Sequence, residues 1–228
     1  MERNMDNIHS DPDLVDKRFV FHDRNHAGTI LAEMLKDACD PDSKVLAIPA
    51  GGVPVAVKIA TACRLEMDII PVSKILLPWT TESGFGAVAF DGTCWIDDRL
   101  VKQFGLDKIT ITHALADAES KVQRRLLRYR GNKSFADLSG KTVVLVDDGI
   151  AAGSTVRTAV LALEKQHVER IIIATPTAHE SSLGPLAELV AEIYCPNIRG
   201  GYHFAVAEAY ENWSDVSDRE LDDVLRNL

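Results

Sequence analysis

The sequence predicts an α/β chain built as a doubly wound, mainly parallel sheet, and three observations predict it. Short apolar runs with no polar alternation, Val45-Leu46-Ala47-Ile48 and Val143-Val144-Leu145-Val146, read as strands buried on both faces, as inside a parallel sheet. Each run is followed by a small-residue loop and then by an apolar-periodic segment of helical spacing. Strand and helix patterns keep alternating through residues 170–195.

Taken in order, residues 1–16 mix Asn, Asp, His and Ser and read as a flexible arm, frayed unless docked. Residues 18–24 fit a short strand. Ala27, Ile30, Leu31, Met34, Leu35 and Ala38 then recur at helical spacing as a buried face. His22, Asp23 and Arg24 read as the capped entrance of that helix, because adjacent residues do not face one another. The second strand ends at Ile48-Pro49 and leads through Ala50-Gly51-Gly52 into a helix with Pro54 in its first turn, ending near Cys63. Residues 69–75 read as a third strand, with Pro71 marking its start or a sheet edge.

Residues 76–93 carry Pro78, Gly84, Gly86 and Gly92 with no sustained period and read as a long loop. Helices are expected at 97–104 and 113–130. Arg124, Arg125, Arg128 and Arg130 crowd the end of the second, where positive charge complements the helix dipole; a phosphate contact is the alternative. Beyond residue 155 come a helix, a strand at 170–175, a helix at about 181–190 and a strand at 192–195. Ser217-Asp218-Arg219-Glu220 is a capping box for a last helix with Leu221, Val224, Leu225 and Leu228 inside. Tyr202, His203, Phe204, Tyr210 and Trp213 precede it, as packing of a terminal flap or as part of a ligand-covering hood.

With 228 residues and 46% hydrophobic content, the chain suits one fairly large domain, or one with a small cap. A net charge of −9 argues against wrapping nucleic acid, which rewards a basic surface, yet leaves room for a small anion held by local donors. Cys39, Cys63, Cys94 and Cys195 have no paired spacing, so neither a zinc knuckle nor a disulfide framework is expected, and a cytoplasmic setting is. No apolar run reaches the length of a membrane span, so a soluble protein without a membrane partner is expected.

Chemistry concentrates at residues 143–155. Two acids, Asp147 and Asp148, close the central strand, and Ala151, Ala152, Gly153, Ser154 and Thr155 lead into a helix. Unpaired amides and the dipole at a helix start favour a phosphate, while the acids can accept hydrogen bonds from sugar hydroxyls. The combination asks for a sugar phosphate with free hydroxyls. Ligands of open α/β sheets bind at this strand edge.

These residues resemble the phosphoribosyl-pyrophosphate (PRPP) signature of type I phosphoribosyltransferases. The resemblance implies a five-stranded, mainly parallel sheet with a small hood, formed by residues 17–228 with the flap at about 197–228. It places the ribose hydroxyls on Asp147 and Asp148, as catalytic acids, and the 5-phosphate on residues 151–155. It places pyrophosphate on the loop of Ala50, Gly51 and Gly52, with Lys74 as a further contact or a snorkelling surface lysine. Two departures stand out: Ala152 replaces the usual Thr, and Ala50 replaces an Arg of similar family members. The reaction implied is displacement of pyrophosphate from PRPP by a nitrogenous base, with Mg²⁺ bridging the diphosphate and ribose hydroxyls and no protein ligand assigned to it. A covering loop would lie at residues 78–87. A homodimer is the assembly to test. The alternatives are a PRPP- or nucleotide-binding regulatory module without transfer chemistry, and a ribose-phosphate hydrolase.

Overall fold

The computed structural model describes residues 6–131 and 135–225. Its centre is a six-stranded sheet in the order β1 (Ile8–His9), β10 (Glu192–Tyr194), β8 (Arg170–Ala174), β7 (Thr142–Val146), β2 (Lys44–Ala47) and β3 (Glu66–Ile69), every pair parallel. All five residues of β7 are buried, as an unalternating apolar run at the middle of a parallel sheet requires. The sheet has six strands where five were expected: four are those the sequence pattern predicts, and β3 shares only Ile69 with the predicted run 69–75. The sixth comes from the arm: Ile8 and His9 pair with Ile193 and Tyr194, and the Asn7 side-chain amide donates to the carbonyls of Ala187 and Val190. The arm is docked over the described residues 6–16.

Helices cover both faces. On one lie α1 (Arg24–Met34) and α2 (Gly52–Cys63), whose Leu31, Leu35, Val55 and Ile59 pack on Val45, Val144 and Ile172. The last helix, α7 (Asp218–Leu225), adds Leu221 and Val224 to this layer. The expected inner residue Leu228 lies outside the described residues. On the other face, α5 (Ser154–Glu164) and α6 (Glu180–Ala187) pack Val156, Val160, Leu163 and Leu183 against Leu46, Leu145 and Ile173. Turning the same strands' alternate residues to opposite helix layers is what makes continuous apolar runs necessary.

Two sequence expectations are corrected here. The run 69–75 is not one strand: Pro71 separates β3 from β4 (Val72–Leu76), which leaves the central sheet. A proline donates no ladder hydrogen bond, so the chain changes sheets there. Nor is 76–93 a long loop. β4, β5 (Gly84–Ala89) and β6 (Cys94–Ile96) form an antiparallel sheet, leaving only residues 77–83 as the connection in the region where a covering loop was expected. Gly84 and Gly86 serve close backbone approach rather than looseness. A Cβ on Gly84 would lie 2.8 Å from the Ile75 carbonyl oxygen, and one on Gly86 would overlap that of Trp95.

This sheet packs one face on α5 and the other, with Ile75, Phe85 and Val88, on α3 (Asp98–Gln103) and α4 (Lys108–Arg130). The fit of a strand at 18–24 reduces to a single bridge between Phe21 and Tyr210. The tail folds back through β11 (Asn197–Arg199), which pairs with β9 (Thr177–His179), and a short 3₁₀ turn at Val206–Ala209. No helix among the described residues is long and apolar enough to cross a membrane.

Candidate functional site

The site forms where β2 and β7, neighbours in register from Lys44 with Val143 to Ala47 with Val146, deliver their loops to the same sheet edge. After β7, the Asp147 amide donates to the Ala174 carbonyl at 3.3 Å and the Asp148 amide to Asp147 Oδ1 at 2.9 Å. The loop then locks onto β9. The Ile150 amide donates to Thr177 O (2.9 Å), and the His179 amide donates to Ile150 O (2.8 Å). The Ser182 hydroxyl donates to the Ala151 carbonyl. Gly153, at φ +77°, turns the chain into α5, and the Thr158 hydroxyl ties the first turn to Ser154 O at 2.8 Å.

Ala151 and Ala152 are exposed, Gly153 and Thr155 half-buried and Ser154 buried. Among the described residues, the amides of residues 151–156 donate to no protein acceptor. Consecutive open amides at the head of an eleven-residue helix form a cradle with the geometry that suits an anion, held in place by the β9 contacts.

The second loop crosses beside it. Pro49 and Ala50 are joined by a cis peptide bond. Gly51 lies so close to Asp148 that a Cβ there would overlap the carboxylate, and a Cβ on Gly52 would lie 2.6 Å from the Val146 carbonyl oxygen. Glycine is required at both places by contact, not by backbone angle. The Gly52 and Val53 amides are already used, donating to Ile48 O at 3.1 Å and Ala50 O at 3.2 Å.

The two acids have different surroundings. Burial, then the adjacent Asp148 charge, push Asp147 well above the usual carboxylate range, while the Asp148 amide and the Lys74 ammonium pull the other way. Asp148 instead has a direct cation partner: Arg24 Nε donates to its Oδ2 at 2.7 Å. The Tyr210 hydroxyl donates to the Asp148 carbonyl at 2.6 Å. Burial and the nearby Asp148 charge raise the Tyr210 phenol well above its ordinary value.

Apart from Lys74, the sequence-predicted site residues gather at one edge: Asp147, Asp148, residues 151–155, Gly51 and Gly52, with Ala50 at the turn. Lys74 sits exposed on β4, where its charge reaches Asp147 and its side chain borders a cavity of about 500 Å³ between β4 and α4. The arginines at the end of α4 serve elsewhere: Arg125 donates to Val72 O at 3.1 Å, Arg128 pairs with Asp222 at 2.8 Å, and Arg130 pairs with Asp68. Phe85 is core, and Trp79 is exposed beside Phe104.

Sequence reasoning missed Arg24. Asp23 does cap α1, accepting from the His26 amide at 2.8 Å, but the next residue turns inward to the acids. A signal was present, since an arginine in the first turn opposes the helix dipole and needs a compensating partner. Tyr210 and Trp213, read from the sequence as packing of a flap or as part of a hood, complete the surroundings. The guanidinium carbon of Arg24 lies 3.9 Å from the Trp213 ring centroid, and the Tyr210 and Trp213 centroids are 5.1 Å apart.

A family model described as the phosphoribosyl transferase domain matches residues 98–211, half of the chain, including β7, both acids and the loop into α5. The chain belongs to the phosphoribosyltransferase family. Among curated proteins, the chain is 31% identical over 202 residues to "Putative phosphoribosyl transferase Rv0571c" of Mycobacterium tuberculosis, covering 89% of this chain and 45% of that protein. It thus spans about half the length of the curated relatives it matches.

Among solved structures, TT1426 from Thermus thermophilus superposes with a TM-score of 0.73 at 28% identity, covering 91% of this chain and 98% of the other. A hypothetical protein from Neisseria gonorrhoeae with bound ppGpp shares the fold, with a TM-score of 0.51 at 12% identity over 94% of this chain and 97% of the other. The α/β architecture is that of the phosphoribosyltransferases, a parallel sheet with helices on both faces.

Proposed function

We infer that the protein transfers the 5-phosphoribosyl group of PRPP to a nitrogenous base with release of pyrophosphate. The observation that carries this reading is the run of open amides at residues 151–156 immediately beyond two carboxylates, in a chain of this family. The cradle takes the 5-phosphate, supplemented by Ser154 and Thr155, and Asp147 and Asp148 take the ribose hydroxyls. The loop of Ala50, Gly51 and Gly52 takes pyrophosphate, with Lys74 as a further contact. Both acids then stand beside the sugar ring, where positive charge develops as the bond to pyrophosphate breaks, and favour that charge electrostatically. Asp147, with its raised proton affinity, is the better placed of the two to accept a proton from the attacking nitrogen.

Mg²⁺ fits this donor set as a companion of the ligand. Among the described residues no group of three or more His, Cys, Asp or Glu forms a metal cage. Mg²⁺ commonly binds through substrate phosphates and few protein groups. When bound with the ligand, it would supply positive charge that offsets the leaving group's charge, with Asp147 and Asp148 as the nearest acids of the site. The protein's part is to hold those oxygens.

A regulatory PRPP- or nucleotide-binding module is the second reading, favoured by Ala50 and Ala152, which remove a cation and a hydroxyl from the anion contacts. One neighbour of the same fold carries bound ppGpp. The deciding experiment mixes protein, Mg²⁺ and PRPP with a panel of purines and pyrimidines and measures pyrophosphate. Release that depends on one base supports transfer, and PRPP binding without release under every base selects the module. Four free cysteines and a small-molecule ligand suit a cytoplasmic setting.

A further inference from the structure

Arg24 is an unusual first residue for a helix. It places a cation at the positive end of α1, and nine-tenths of its side chain is withdrawn from solvent. Such a placement needs compensation, and the compensation is directional. Nε donates to Asp148 Oδ2 at 2.7 Å, and Nη1 donates to the Ser214 carbonyl at 2.7 Å. The guanidinium lies flat enough on Trp213 to bring its carbon 3.9 Å from the ring centroid. Asp148 is confined from the other sides as well. Gly51 leaves the space that the carboxylate fills, and Tyr210 holds the Asp148 carbonyl. Among the described residues Asp147, one residue earlier, has no such clamp, and the charges that act on it are those of Asp148 and Lys74.

We propose that Arg24 is a positioning residue for Asp148: it fixes one carboxylate oxygen so that the other faces the ribose, and Ser214 and Trp213 fix Arg24 in turn. The assignment rests on the reading of Asp148 as a ribose-holding acid. A guanidinium is suited to this because its nitrogens sit in a rigid plane, so the contact to Ser214 sets the angle of the contact to Asp148. The segment 210–214 thereby belongs to the site although none of its side chains needs to touch the sugar. The cleft of about 610 Å³ lined by Arg24, Asn25, Val53 and Trp213 opens on the far side of this clamp.

The test has a ligand-free arm and a ligand arm. Labelling with 5-fluorotryptophan gives one ¹⁹F resonance for each of the three tryptophans, and loss of a signal in Trp213→Phe assigns one. Asp148→Ala should move the Trp213 resonance and leave those of Trp79 and Trp95 in place, and should have no further effect once Arg24→Gln is present. Asp148→Leu, which fills similar space without an acceptor, serves if the alanine variant does not fold. A Trp213 resonance indifferent to residue 148 overturns the proposal.

In the ligand arm, calorimetric titration of Arg24→Gln should lower affinity for ribose 5-phosphate about ten-fold, as for one charge-assisted contact, and leave inorganic phosphate affinity unchanged. Arg24→Lys should recover part of the loss. Equal losses for both ligands would make Arg24 a general structural residue and overturn the assignment, as would wild-type affinity for ribose 5-phosphate in Arg24→Gln. If the wild type binds phosphate but no ribose phosphate, the transferase reading falls, while the ¹⁹F arm still decides whether Arg24 holds Asp148.

Discussion

The two loops at the sheet edge are built on opposite plans. Residues 151–156 leave their amides open and take their rigidity from outside, through the bonds of Ile150 to β9 and the Ser182 hydroxyl on Ala151. Residues 50–53 use half of their amides internally and are defined by contact, with Gly51 against the Asp148 carboxylate and Gly52 against the β7 backbone. On the proposed reading, the first receives an anion with its own amides. The second is a close-packed wall whose capacity for an anion depends on charges brought from elsewhere, and Ala50 brings none. The affinity of the site for a phosphorylated sugar should therefore reside mainly in the 151–156 cradle, with the glycine wall shaping the space beside it.

The largest effect that would test this plan comes from the wall. Asp148→Ala removes the partner of a buried guanidinium, since the two side chains keep only 10% and 15% of their exposure. Leaving one member of such a pair uncompensated costs about 3–5 kcal/mol. It also opens the space beside Gly51. Chemical denaturation should report that loss, and Asp148→Asn, which retains an acceptor for Arg24 Nε, should lose less. A wild-type midpoint for Asp148→Ala would mean the wall does not depend on the acid. This sharpens the view of Asp148 as purely a ribose contact: the residue also holds the architecture of its surroundings.

Next in size is a gain. Ala50→Arg should supply the wall with the cation it lacks and tighten PRPP binding by about 1.5–3 kcal/mol, ten-fold or more, while ribose 5-phosphate, which lacks the diphosphate, gains little. Titration calorimetry with both ligands reads the contrast. Equal gains would reflect a general electrostatic lift, and residue 50 would not face a pyrophosphate.

The sheet and its central site were legible in the sequence because their causes are local. Unalternating Val143-Val144-Leu145-Val146 has to be buried on both faces, and glycine between a strand and a helix is read directly as a turn. What escaped depends on residues distant in sequence. Arg24 and Asp148 are 124 positions apart, and only the folded chain shows that the first turn of α1 meets the end of β7. The meander of β4, β5 and β6 was hidden because Gly84 and Gly86 look like loop punctuation, whereas their small size is demanded by neighbouring strands. The arm was read from composition, and its two-residue strand is too short to carry a period.

A third prediction compares the two acids by pH. Asp147 binds its proton more tightly in the folded protein than in the unfolded chain, so its contribution to stability is fully present below the ordinary carboxylate pKa of about 3.9 and is lost as pH rises toward its folded value. One such group gives a slope of at most about 1.4 kcal/mol per pH unit. Subtracting the stability-versus-pH curve of Asp147→Asn from that of the wild type cancels the carboxylates that do not interact with Asp147, and the remainder belongs to the Asp147–Asp148 pair. The difference should fall with rising pH above about pH 4. A difference that rises instead would mean that Lys74 and the Asp148 amide outweigh burial.

The smallest effect belongs to the cradle and separates its shape from its contents. Gly153 has φ +77°, but a Cβ there would meet Leu186 Cδ1 and Ser182 Cβ at 3.5 and 3.6 Å, which are ordinary contacts. Gly153→Ala therefore pays only for the left-handed backbone, roughly 1 kcal/mol, with no steric clash. The anchors of Ile150 on β9 and the first turn of α5 do not involve that side chain, so the open amides should keep their arrangement. The variant should melt a few degrees lower and still bind inorganic phosphate within about two-fold of wild type, the factor that half of the strain cost would produce. If phosphate affinity instead falls far more than stability does, the cradle's shape is set by Gly153 itself rather than by its contacts with β9, and the contrast with the close-packed wall would have to be redrawn around that one turn.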